Sequence, residues 1–126
     1  MMAFFGLVYV LPIAWSLRVQ DDAVMDFVWA LLLNVGVGLG VAFLTKRFRR
    51  ELKPRDGFLL VTLSWTLMSA SGAIPFMIAM PELSFTDAYF ESMSGLTTTG
   101  STILHNLDEL PQSLNLWRHT LHWIGG

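Results

Sequence analysis

The chain has 126 residues, eight basic and ten acidic side chains, a formal net charge of -2 and no cysteine. The missing cysteines exclude a disulfide framework, a thiolate metal site and a cysteine nucleophile. The balanced charge, with no basic stripe interleaved with aromatics, excludes a nucleic-acid partner. Apolar residues make up 53 % of the chain, and the charges gather in a few clusters, the pattern of an integral membrane protein rather than a soluble globule.

The first apolar run is Met1 to Leu17, with Pro12 inside it, at the lower edge of spanning length. It has neither the positive leader nor the small-residue cleavage site of a signal peptide, so it reads as a clipped transmembrane helix. A polar segment from Arg18 to Asp26 follows, then a second apolar run, Phe27 to Leu44. Six of the eight basic residues (Lys46, Arg47, Arg49, Arg50, Lys53 and Arg55) lie between the second and third runs. The positive-inside rule puts that loop in the cytoplasm and the Arg18–Asp26 loop outside. The cluster is read as a topology signal, with anionic lipid head groups as a secondary partner. Gly36, Gly38 and Gly40 lie mid-span, where no phosphate cradle can form, so they predict close helix packing.

The third run, Gly57 to Met80, carries Ser64, Thr66, Ser69, Ser71 and Gly72, a small and mildly polar face suited to helix contacts inside a membrane. Pro75 predicts a bend or a break near its outer end. Ser84-Phe85-Thr86-Asp87 fits a capping box that opens a short helix. That helix is expected to run to about Ser94, with Gly95 as its C-terminal glycine cap. At roughly 15 Å, by 1.5 Å per residue, it is half the length needed to cross. The chain then returns outward through Leu96 to Ile103, and a fourth span begins near Leu114. Because the sequence stops at Gly126 inside that span, it reads as a fragment of a longer protein, clipped at its C-terminus and at its N-terminus too.

Ser84 to Ser101, SFTDAYFESMSGLTTTGS, is thus too short and too polar to span, yet sits between two spans. Non-helical backbone at membrane depth is tolerated only where protein buries it or it lines a watery cavity. The arrangement has the form of a re-entrant pore loop that offers backbone carbonyls to a dehydrated cation. Gly100 can take the positive φ such a strand needs. Thr97, Thr98 and Thr99 are expected to stiffen it in an extended form. The helix C-terminus would add partial negative charge favourable to a cation. The competing reading is an ordinary extracellular turn.

Several other residues bear on function. Glu91, on the short helix, is expected to hydrogen-bond the strand rather than touch an ion. Arg118 is expected to pair with Asp108 or Glu109, or to snorkel to the interface. His105, His119 and His122 read as interface residues beside Trp117 and Trp123 rather than as a metal site. An intramembrane serine hydrolase built on Ser92-Met93-Ser94-Gly95 is a remote alternative. The motif lacks the leading glycine, and no histidine lies inside a complete span.

The residues also carry a resemblance. Glu51 to Phe58 (ELKPRDGF), Gly72 to Phe76 (GAIPF), Thr86-Asp87-Ala88, Phe90 to Gly100 (FESMSGLTTTG), Trp117-Arg118 and Trp123 to Gly126 (WIGG) resemble the pore-forming subunits of Trk/Ktr-type potassium transporters, of the bacterial TrkH/TrkG type. The resemblance implies an all-α integral membrane fold, with two leading transmembrane helices followed by helix–pore-loop–helix repeats around a pseudo-fourfold axis. Residues 1–56 would be the leading pair with its basic loop, and 57–126 the first repeat, incomplete. It implies potassium as the transported ion, held by backbone carbonyls at Thr98 and Thr99 with Thr97 and Gly100 flanking; Glu91, Gly95 and Arg118 are read as supporting residues. In such proteins a glycine at the filter position favours potassium, and Gly100 meets that in this repeat. No enzyme activity and no organic cofactor are implied. The implied partners are membrane lipid, the remaining repeats, a second copy in a homodimer, and a cytoplasmic nucleotide-binding regulatory subunit. The implied location is the bacterial inner membrane. One loop supplies a quarter of a coordination ring, so the alternative function is a non-conducting fragment or one part of a split transporter.

Overall fold

The computed structural model of the chain describes residues 5, 7–20, 22–47, 51 and 53–126. Among these the elements are helix α1 (Val10–Val19), α2 (Val24–Thr45), α3 (Pro54–Ala79), α4 (Phe85–Leu96), a 3-10 turn (Leu107–Glu109) and α5 (Gln112–Gly125). α2 and α3, with 22 and 26 residues, are long and apolar enough to cross a membrane. At 1.5 Å per residue they measure about 33 and 39 Å, against a hydrocarbon core of about 30 Å. α1 has 10 residues and starts after Tyr9; residues 1–4 and 6 of the first apolar run lie outside the described residues, as do Arg49 and Arg50 of the basic cluster.

Each helix buries a narrow stripe. In α2 it is Phe27, Ala30, Asn34 and Gly38, spaced three and four residues apart as one helical face requires. Leu32, Leu33, Val37, Leu39 and Phe43 stay exposed on its other faces, as suits a helix whose surroundings are lipid. Close packing by the mid-span glycines is therefore confined to Gly38. A side chain at Gly36 or Gly40 would meet nothing within 4 Å. In α3 the buried residues are Ser69, Ser71, Gly72, Ala73, Pro75 and Phe76. The small polar face thus packs only in its outer half. Further in, Ser64 and Thr66 donate to the carbonyls one turn back, Leu60 O at 2.6 Å and Thr62 O at 2.8 Å.

Pro75 does not break α3, which runs unbroken to Ala79. A proline has no N–H, so the carbonyl of Ser71 loses its helical donor. The Tyr9 hydroxyl takes that place, donating to Ser71 O at 2.7 Å. Asn34 Nδ2 donates to Tyr9 Oη and to Ala30 O, both at 3.0 Å, and the Ser71 hydroxyl bonds Asn34 Oδ1. The next carbonyl, Gly72 O, accepts from Trp117 Nε1 at 3.1 Å. Trp117 stacks on Tyr9 with ring centroids 4.3 Å apart, and Phe5 and Phe27 meet it edge-on. One aromatic knot thereby joins α1, α2, α3 and α5.

Candidate functional site

α4 packs chiefly between α3 and α5. Its start follows from Ser84, whose Oγ accepts the Asp87 N–H at 3.2 Å and so satisfies one of the orphan donors of the first turn. Ala88, Glu91, Ser92, Ser94, Gly95 and Leu96 are buried. Apart from Glu91 and Leu96 these are small, which lets α4 lie close to its neighbours. Its 12 residues measure about 18 Å, little more than half the thickness of a bilayer core of about 30 Å.

The end of α4 is a Schellman closure. Thr98 N–H donates to Gly95 O at 2.9 Å, and Thr99 N–H donates to Ser94 O at 3.0 Å. In this motif the residue after the cap takes the left-handed conformation, and here that residue is Thr98, at φ 56°. Two sequence expectations are corrected by this geometry. Gly95 is not the C-terminal cap but an internal residue of α4, and its bare face is needed because a Cβ would stand 3.0 Å from Leu121 Cβ. Nor are the three threonines an extended strand. Thr97 caps the helix at φ -85° and ψ 1°, and Thr98 occupies a region that costs a β-branched residue about 1–2 kcal/mol. Gly100, at φ 78°, has the positive φ expected of it.

Local hydroxyl bonds hold the turn. Thr97 Oγ1 donates to Met93 O at 2.8 Å and lies 2.8 Å from Thr99 Oγ1. Thr98 Oγ1 donates to Thr97 O at 2.7 Å. All four residues from Thr97 to Gly100 are exposed. Beneath them, a Cβ on Gly125 would lie 1.9 Å from Leu96 O, and one on Gly126 would lie 3.0 Å from Thr98 Cγ2. Gly125 at the end of α5 and Gly126 after it thus let the chain pass directly against the last turn of α4.

The segment that follows is tied back to α4. Ser94 Oγ donates to Ser101 O at 2.7 Å. Glu91, 1 % exposed, uses both carboxylate oxygens. Oε1 receives Arg118 Nε at 2.6 Å, while Oε2 receives Thr102 Oγ1 at 3.0 Å and Ile103 N–H at 3.3 Å. Glu91 therefore bonds the returning segment at Thr102 and Ile103, just beyond the Thr97–Gly100 turn. Arg118 pairs with neither Asp108 nor Glu109 but with Glu91. It sits on α5 facing α4, where the buried Glu91 carboxylate would be costly to leave unpaired. Thr102 was not legible as a participant, since no motif marks it.

The hydrolase alternative fails on geometry. Ser92 Oγ is buried with no hydrogen-bond partner among the described residues, Ser94 Oγ is bound to Ser101 O, and His122 Nδ1 is engaged with Arg118 O at 2.9 Å. Among the described residues no group of three or more His, Cys, Asp or Glu is placed to hold a metal ion.

Comparison with known proteins gives a consistent picture. Residues 22–126 match the family described as TrkH, cation transport protein. The chain is 42 % identical over 127 residues to the Trk system potassium uptake protein TrkH of Vibrio parahaemolyticus, covering 100 % of this chain and 26 % of that protein. It is 33 % identical over 116 residues to the Trk system potassium uptake protein TrkG of Escherichia coli, covering 91 % of this chain and 24 % of that one. The crystal structure of the potassium transporter TrkH from Vibrio parahaemolyticus superposes with a TM-score of 0.86 at 41 % identity, over 98 % of this chain and 27 % of that chain. The chain thus spans about a quarter of the length of the relatives it matches.

Proposed function

Because the chain belongs to the TrkH family of cation transport proteins, we propose that its Thr97–Gly100 segment is one of four pore loops of a potassium-uptake pathway. The chain is an all-helical membrane protein of the bacterial inner membrane, a transporter component and not an enzyme. In this proposal residues 1–56 are the leading helix pair and 57–126 one helix–pore-loop–helix repeat. Potassium is the cargo, met by the backbone carbonyls of Thr98 and Thr99, with Thr97 and Gly100 shaping the turn. Conduction requires the other three loops, because one loop offers a quarter of the ring. A cytoplasmic nucleotide-binding subunit and a second copy of the whole transporter are the proposed partners.

The observation that carries the proposal is the exposed Thr-Thr-Thr-Gly turn at the end of a half-length helix, fixed at both ends and containing two left-handed residues. Successive carbonyls can face one side only in such an irregular backbone, and carbonyl dipoles bind a cation firmly yet reversibly. The test is potassium uptake by a full-length transporter carrying this segment, in a bacterium deficient in potassium uptake. Gly100→Ser forces a side chain onto φ 78° and is expected to weaken growth at low potassium or lower the potassium-to-sodium uptake ratio. Unchanged rescue and an unchanged ratio would remove this loop from the filter.

A further inference from the structure

We propose that Glu91, Arg118 and Thr102 form a clamp that sets the ion selectivity of the loop, acting as positioning residues and not as ion ligands. This rests on the pore-loop reading above. The Thr97–Gly100 segment is four residues long and held at both ends. Its near end is fixed by α4 itself, through the Thr98-to-Gly95 and Thr99-to-Ser94 bonds. Its far end, Ser101–Ile103, has no regular structure of its own and is held by side chains. Ser94 takes one residue, and the single carboxylate of Glu91 takes the next two. The width of the carbonyl site therefore depends on where Glu91 Oε2 stands. Thr102 passes the constraint onward, because its Oγ1 also accepts the Leu104 N–H at 3.1 Å.

Arg118 has two effects in this arrangement. Its Nε bond to Oε1 fixes the carboxylate in place, so that Oε2 is left for the strand. It also cancels the charge. An unpaired buried carboxylate one layer behind the turn would attract small, hard cations as well as potassium, whereas neutral carbonyl dipoles favour the more weakly hydrated ion. The pair thus keeps the ion on the backbone. Because Arg118 belongs to α5, the clamp also couples three successive elements: the half-length helix, the strand that leaves the turn and the helix that follows.

The clamp is tested in a full-length transporter carrying the segment, by the ratio of potassium to sodium uptake at equal amounts of protein in the membrane. Thr102→Val removes the hydroxyl but keeps the ion pair and the bulk. Its ratio is expected to fall about threefold, the lower range of one hydrogen bond's net worth. Glu91→Gln removes the charge-assisted bonds and is expected to lower the ratio about tenfold, as for hydrogen bonds to charged groups. Thr102→Ser keeps the hydroxyl and should keep the ratio, which a role in bulk packing alone would not predict. An unchanged ratio in Thr102→Val overturns the clamp, and so does an equal fall in Thr102→Ser. If Glu91→Gln fails to reach the membrane, Thr102→Val decides alone. Gly100→Ser, measured in parallel, separates the two claims. If it shifts the ratio and the clamp variants do not, only the clamp fails. If it too leaves the ratio unmoved, and growth at low potassium as well, the pore-loop reading fails with it.

Discussion

Gly72→Ala should destabilise the protein, and Ser92→Ala should restore it. A Cβ on Gly72 would stand 2.4 Å from Ser92 Oγ, 3.3 Å from Leu121 Cδ2 and 3.6 Å from Ser92 Cβ. Only the first of these is a hard overlap. Ser92 is fully buried, so its hydroxyl must swing to another rotamer or α3 and α4 must part by a fraction of an ångström. Overpacking of this kind costs about 1–3 kcal/mol. Alanine in a helix interior regains up to about 1 kcal/mol over glycine, leaving a net loss of about 0–2 kcal/mol. Ser92 Oγ has no hydrogen-bond partner among the described residues, so Ser92→Ala forfeits none of these and removes a buried polar group. It also deletes the one overlapping atom, leaving Gly72→Ala with tolerable contacts. The double variant should therefore be as stable as the unmodified protein or more so, with a coupling of about 1–3 kcal/mol between the two sites. The assay is thermal unfolding of the detergent-solubilised full-length transporter in all four forms of the cycle. Strict additivity of the two single effects would refute the reasoning, since it would mean that Ser92 Oγ is not what Gly72 makes room for.

Gly125→Ala should be more damaging and should not be rescued by any side-chain change, because its Cβ would meet the Leu96 backbone oxygen at 1.9 Å; loss of uptake with protein still in the membrane is the expected result. Tyr9→Phe keeps the ring stack on Trp117 but strips the donor from the Ser71 carbonyl and the acceptor from Asn34. It should lower stability by about 1 kcal/mol, two interhelical hydrogen bonds at about 0.6 kcal/mol each, seen as a reduced unfolding temperature. Thr98→Gly should relieve the left-handed strain at φ 56°, worth about 1 kcal/mol, and so raise the unfolding temperature while leaving the backbone carbonyls available for uptake.

What could be read from the sequence was what depends on local chemistry. Long apolar runs announce α2 and α3, because a span needs length and apolarity whatever its neighbours are. Ser84 announces the start of α4, because capping is settled within one turn. The end of α4 was misjudged because glycine is favoured but not required at a left-handed cap, and the neighbouring α5 claimed Gly95 for its own close approach. The partner of Arg118 was missed for the same kind of reason. Asp108 and Glu109 are near it along the chain, but Glu91 lies 27 residues away and only packing of α5 on α4 brings the two together. The resemblance carried the segment as a whole into a family, yet gave no account of how Thr102 fixes the strand.

The proline in α3 shows why α1 and α2 matter to the packing of α3, α4 and α5. Pro75 leaves the Ser71 carbonyl without its helical donor, and Ser71 is buried, where an unpaired polar group is costly. In α3 alone that group would invite a break in the helix close to where α4 packs. Tyr9 supplies the donor from outside α3, and Asn34 in turn orients Tyr9. Trp117 then covers the next carbonyl from α5 while stacking on Tyr9. The face of α3 that α4 rests on is thus kept helical by residues from three other segments. The position of the Thr-Thr-Thr-Gly turn follows from that face, through the Gly72 and Ser92 contact at one end of the chain of supports and the Glu91 carboxylate at the other.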